Sequence, residues 1–149
     1  MMDALENRVR LAVLSRTIET TAVPSAAELA ADLSLPESRV AEAYRVLADG
    51  HVYVLEPTDP TRLRMANPFS AVPTAFSVAT RGRVYFGNCI WDSLGIVSLL
   101  GGDGIVETAC PDCREQLVLR ISGRRLVAGE GVVHVSVPAR HWWDDIIYT

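Results

Sequence analysis

Residues 24–50 read PSAAELAADLSLPESRVAEAYRVLADG, and this stretch decides the architecture of the first half of the chain. Ser25-Ala26-Ala27-Glu28 has the form of a capping box, in which serine hydroxyl and glutamate carboxylate each satisfy one orphan amide at a helix start. Leu29 and Leu33 follow one turn apart, on one face. Ser34-Leu35-Pro36-Glu37 repeats the pattern, with proline in the first turn. Val40, Tyr44 and Leu47 then give the next helix an apolar stripe, and Gly50 ends it. Two short helices joined by a tight turn make a helix-turn-helix.

The neighbouring segments extend this reading in both directions. Upstream, residues 4–16 place Leu5, Val9, Ala12 and Val13 on one helical face. Downstream, residues 51–55 read as a strand, Thr58-Asp59-Pro60 as a turn, and residues 62–65 as the return strand. Helix, helix-turn-helix and hairpin in that order predict a winged-helix-like module over residues 1–65. Residues 66–74 hold Pro68 and Pro73 with little periodicity and read as a linker. Residues 75–149 make a second domain. Its hairpin pairs 76–79 with 84–86 around Thr80-Arg81-Gly82-Arg83, and residues 89–100 have the length and pattern of a mostly apolar helix stopped by Gly101-Gly102. Three strand-like runs follow, at 105–109, 116–121 and 132–137. The fold class is α+β: a helical module, then a mixed domain with a small, mainly antiparallel sheet and one buried helix.

Composition sets outer bounds on function. The chain has 149 residues, 49% of them hydrophobic and 21% charged, enough to bury a core and unlike a disordered chain. No apolar run approaches the roughly 20 residues of a membrane span. No basic-then-apolar leader is read at the start, so the expected compartment is the cytoplasm. All 14 basic residues are arginine, which removes Schiff-base and P-loop lysine chemistry. The net charge is −4, and residues 1–65 carry ten acidic against seven basic side chains. The helix that would enter a DNA groove sets Glu37, Glu42 and Asp49 against Arg39 and Arg45. Phosphate binding needs a positive excess, so nucleic acid is not the expected partner. No pattern in the chain specifies an oligomeric state.

Chemistry concentrates in the second domain, which holds all three cysteines. An odd count in a reducing compartment points to free thiols rather than a disulfide framework. Cys89-Ile90-Trp91-Asp92 is a C-x-x-D at a helix start, where positions i and i+3 share a face. The positive end of the helix dipole favours thiolate there, and the neighbouring carboxylate opposes it unless it holds the proton itself. A capping aspartate beside a buried cysteine would give the same spacing. Cys110-Pro111-Asp112-Cys113 lies between two strands, and two thiols at that spacing can share one metal ion. Zinc there would need Cys89, His134 or an aspartate to complete four ligands; otherwise the segment is a plain turn. The terminal segment His141-Trp142-Trp143-Asp144-Asp145-Ile146-Ile147-Tyr148-Thr149 reads as an element docking on the core, with a strand at its end. His51, His134 and His141 read as structural.

Taken together, these features resemble the alkylmercury lyase (organomercurial lyase) family over most of the chain. The C-x-x-D of Cys89 and Asp92, the strand leading into Cys110-Pro111, and Trp142-Trp143-Asp144-Asp145-Ile146 carry the resemblance. It implies cleavage of a carbon–mercury bond by protonolysis. Mercury is soft and prefers thiolate; two sulfurs weaken the bond to carbon, and a carboxyl relays a proton to the leaving carbon. By resemblance Cys89 is the first thiolate and Asp92 the proton relay, with mercury as substrate or ligand and no further cofactor required. The family's second catalytic cysteine is expected just after the 142–146 segment, and no cysteine lies between Trp142 and Thr149. The chain stops short of it, Cys110 or Cys113 substitutes, or lyase activity is lost. The rival readings are a non-enzymatic metal-binding or sensing protein using Cys89, Cys110 and Cys113, a winged-helix transcription regulator, and an enzyme acting on another substrate.

Overall fold

Asp3 accepts a hydrogen bond from the Glu6 amide at 2.9 Å, and the Glu6 carboxylate accepts one from the Asp3 amide, so a capping box opens α1 (Ala4–Thr20). The computed structural model describes residues 3–147. Helix α1 runs one turn beyond the expected residue 16. Thr17 is buried there with its hydroxyl donating to the Val13 carbonyl, and Ile18 packs on the second core. Tertiary burial outweighs the weak helix propensity of this threonine-rich turn.

The capping box at Ser25 forms as the spacing predicts and opens α2 (Ala26–Leu33). The second predicted box does not form. Ser34 adopts a left-handed conformation (φ 54°) and ends α2, while Pro36 is the N-cap of α3 (Glu37–Asp49) without a side-chain bond. A serine three residues before a glutamate served the end of one helix rather than the start of the next. The first core gathers Val9, Val13, Leu29, Val40, Tyr44 and Leu47 between the three helices, and the Tyr44 hydroxyl donates to the Pro24 carbonyl at 3.0 Å.

Strands β1 (Tyr53–Glu56), β2 (Asp59–Ala66) and β3 (Phe69–Ser70) form an antiparallel sheet beside these helices. The 66–74 stretch thus carries more order than its prolines suggest. Met65 pairs with Ser70, and Phe69 is buried in the second core and bridges to Gly87.

The second sheet is antiparallel throughout, in the order β5-β4-β6-β7-β8. Strands β4 (Ser77–Thr80) and β5 (Arg83–Phe86) are joined by Arg81 and Gly82, both at positive φ, the conformation a two-residue hairpin needs. Helix α4 (Ile90–Leu99) follows and packs on β4 and β6 (Gly104–Ala109). Its Ile96 and Val97 meet Val78, Tyr85 and Val106 in the second core; each such buried aliphatic side chain contributes roughly 1.5–3 kcal/mol. The Tyr85 hydroxyl donates to the Ile18 carbonyl at 2.7 Å and ties this core to α1.

Strands β7 (Gln116–Ser122) and β8 (Arg125–Ala128) extend the sheet beyond α4. The predicted strand at 132–137 is absent. That run has no regular structure, and Val132 is 92% exposed. Residues 125–128 take the edge position instead, because Gly123 and Arg124, both at positive φ, turn the chain straight back along β7. The terminal segment forms a 3-10 turn over Ala139–Asp144 rather than a strand. The Trp143 ring stacks on His51 at 4.1 Å, and the Trp142 indole donates to the Val137 carbonyl. Tyr148 and Thr149, the end of the expected strand, lie outside the described residues. Among the described residues no helix is long and apolar enough to cross a membrane.

Candidate functional site

Strand β5 ends at Phe86, and the chain passes through Gly87 and Asn88 into the first turn of α4. A Cβ on Gly87 would stand 2.4 Å from the Ser93 hydroxyl and 2.9 Å from its amide nitrogen, so only glycine lets the strand end lie this close to the helix. Ser93 is fully buried, and both its amide and its hydroxyl donate to the Cys89 carbonyl, at 3.0 and 2.9 Å. Cys89 is therefore the N-cap residue of α4, with extended backbone, and its place is fixed by the second turn of the helix.

The Cys89 Sγ stands 3.8 Å from Asp92 Oδ2. The same carboxylate oxygen accepts from Asn88 Nδ2 at 3.1 Å, and Asn88 Nδ2 also reaches Asn67 Oδ1 at 3.4 Å. Asn88 thus holds the carboxylate that faces the thiol, and Asn67, from another loop, accepts from Asn88. They escaped the sequence reading because an asparagine in a loop has no spacing signature; Asn88 directly before the C-x-x-D was the available clue.

Both members of the pair are pushed toward their protonated forms. Burial raises the Cys89 thiol, and the Asp92 charge adds to this; the Asp92 and Trp91 amides at the helix start oppose it without prevailing. The expected dipole-stabilised thiolate is thus overridden by desolvation. Burial likewise raises Asp92, and its bonds from Asn88 and Cys89 offset this only in part. Trp91, between them, is 72% exposed.

Cys110 and Cys113 occupy the turn between β6 and β7. The Cys110 amide donates to the Glu115 carbonyl at 2.8 Å, and the Arg114 amide to the Cys110 carbonyl at 2.9 Å. The Cys113 amide, then the Asp112 amide and the Cys113 thiol, face the Cys110 sulfur and lower its pKa, the opposite of Cys89. All three cysteines are free, and Cys113 is the exposed one. Among the described residues no three His, Cys, Asp or Glu side chains gather as a metal site. The zinc expected from Cys110 and Cys113 with Cys89, His134 or an aspartate therefore lacks its third ligand.

A cleft of about 810 Å³ opens between α4 and the inner face of β7 and β8. Ile90, Leu94, Leu119 and Ile121 line it, as do Cys110 and His134. Cys89 and Asp92 are not among its lining, although Ile90 adjoins Cys89.

The alkylmercury lyase (MerB) family model matches residues 69–149, which hold the C-x-x-D, the cysteine turn and the cleft. No curated protein sequence matches the chain. Among solved structures, the mercury-bound form of MerB2 is similar, with a TM-score of 0.61 at 17% identity, over 84% of this chain. The chain spans 66% of that structure's length, just under two thirds. The likeness establishes a shared fold.

Proposed function

The chain belongs to the alkylmercury lyase family, and on that premise we propose that it binds an organomercurial on Cys89 and cleaves the carbon–mercury bond, with Asp92 carrying the proton. The observation that bears this reading is the 3.8 Å approach of Cys89 Sγ to Asp92 Oδ2, with both groups raised in proton affinity. A thiol must lose its proton to bind mercury, and the facing carboxylate is placed to take it. The Cys89 sulfur bonds to mercury, the leaving anion departs, and the thiol proton passes to Asp92. Burial makes that carboxyl a better proton store than a solvated one. A second thiolate then bonds to mercury, the carbon–mercury bond breaks, and its electron pair takes the proton from Asp92. The hydrocarbon leaves, Asp92 is again a carboxylate, and mercury remains between two sulfurs. In this scheme an external small thiol supplies the second sulfur.

Residues 1–65 act as a winged-helix-like module that braces this unit rather than as a DNA reader. Arg45 is paired with Glu42 at 2.7 Å on the α3 surface, and the hairpin arginines Arg62 and Arg64 face Asp59 and Glu56. The contact of Tyr85 with Ile18 supports the bracing role.

The test is turnover of a phenylmercuric salt by reduced protein in excess small thiol, with benzene followed by gas chromatography. Benzene release that is lost in Cys89→Ser is the expected result. Equal release from wild type and Cys89→Ser would overturn the assignment.

A further inference from the structure

The turn between β6 and β7 carries two sulfurs that the proposed reaction does not use. It is closed on both sides, by the Cys110 amide to Glu115 and the Arg114 amide to the Cys110 carbonyl, with Arg114 at positive φ. Both cysteines therefore ride on one hydrogen-bonded turn, three residues apart, and the Cys113 thiol faces the Cys110 sulfur. Cys110 lines the cleft and Cys113 is exposed, so the pair reaches from the cleft wall to solvent.

We propose that Cys110 and Cys113 form a second, two-coordinate thiolate site for a soft divalent cation of the mercuric class, separate from Cys89. The choice of metal rests on the family reading; the site itself rests on the turn. Zinc takes four ligands, and no third gathers here among the described residues. Thiolates select soft ions, and an ion satisfied by two sulfurs needs nothing more than this turn supplies.

Loading is a ligand exchange with no change of oxidation state. A mercuric ion held by two small thiolates meets the Cys110 and Cys113 side chains. Two mercury–sulfur bonds form within the turn and the two external ones break. The two small molecules leave as thiols, carrying off the two cysteine protons. The Cys113 sulfur, open to solvent, is then the point at which a further thiol can draw the ion away.

Native mass spectrometry of reduced protein with a mercuric bis(monothiolate) separates the possibilities. In Cys89→Ser, the expected species holds one mercury, has lost two protons and retains no monothiol. Adding Cys113→Ser, an exposed and conservative change, should give mercury with one monothiol attached, or none bound, and at least about tenfold weaker retention against free monothiol. Failure of Cys89→Ser to hold mercury, or mercury held only with a monothiol attached, would overturn the proposal. Phenylmercury binding to the Cys110→Ser/Cys113→Ser double variant reports on Cys89 alone, so the two readings fail separately.

Discussion

Cys89 heads α4 in a half-buried niche, facing a carboxylate that Asn88 holds while itself tied to Asn67. Cys110 sits on an open turn with two backbone amides directed at its sulfur. Burial dominates at the first and raises the thiol; backbone hydrogen bonding dominates at the second and lowers it. A helix start alone therefore does not make a reactive thiolate. What surrounds the sulfur decides, and at Cys89 the surroundings hold the proton beside the carboxyl proposed to carry it.

The sharpest way to break this contrast is to remove the proposed carrier, Asp92. Asp92→Asn should lower benzene release by roughly 10²–10⁴-fold, the usual range for a lost proton-transfer group, while phenylmercury still ends on Cys89, more slowly, with the thiol proton released to solvent. Equal losses of binding and turnover would make Asp92 a structural cap.

Next in size is the order of alkylation. A thiol whose pKa is lowered is ionised at a lower pH, and a raised one holds its proton to a higher pH. At neutral pH Cys110 should react with iodoacetamide faster than Cys89, since a larger share of it is thiolate. Peptide mapping over a pH series gives both curves, and coincident curves would dissolve the contrast.

Gly87→Ala tests the close approach that fixes the Cys89 turn. The added Cβ meets the Ser93 hydroxyl and amide, and overpacking of this kind costs about 1–3 kcal/mol. The melting temperature should fall by several degrees, and mercurial binding should weaken with it. An unchanged melting curve would mean that the strand end and the helix are free to part.

The smallest effect is expected at Asn88. Its Nδ2 donates to Asp92 and favours the carboxylate. In Asn88→Ala the Asp92 carboxyl should hold its proton to higher pH, seen as an upward move of its carboxyl carbon titration by NMR. No move, or a downward one, would take Asn88 out of the site.

Much of this was legible in the chain where one local rule acted alone. The Ser25 capping box, the hairpin around Arg81-Gly82 and the helix after Cys89 follow from short-range chemistry, and the structure has all three. Reading failed where two rules competed. Ser34 fitted both a helix start and a helix end, and the left-handed turn won. Residues 132–137 alternate like a strand, but Gly123 and Arg124 turn residues 125–128 back along β7 first. The C-x-x-D was visible as spacing, and Asn88 stands only four residues before Asp92; Asn67 meets Asn88 only through tertiary approach, which no periodicity encodes.

The most direct test of the Cys89–Asp92 assignment is phenylmercury binding to the Cys110→Ser/Cys113→Ser double variant, read by native mass spectrometry. One phenylmercury per chain, lost when Cys89→Ser is added, is the predicted result. A double variant that binds none while the wild type binds one would place the mercurial on the 110–113 turn and contradict the assignment.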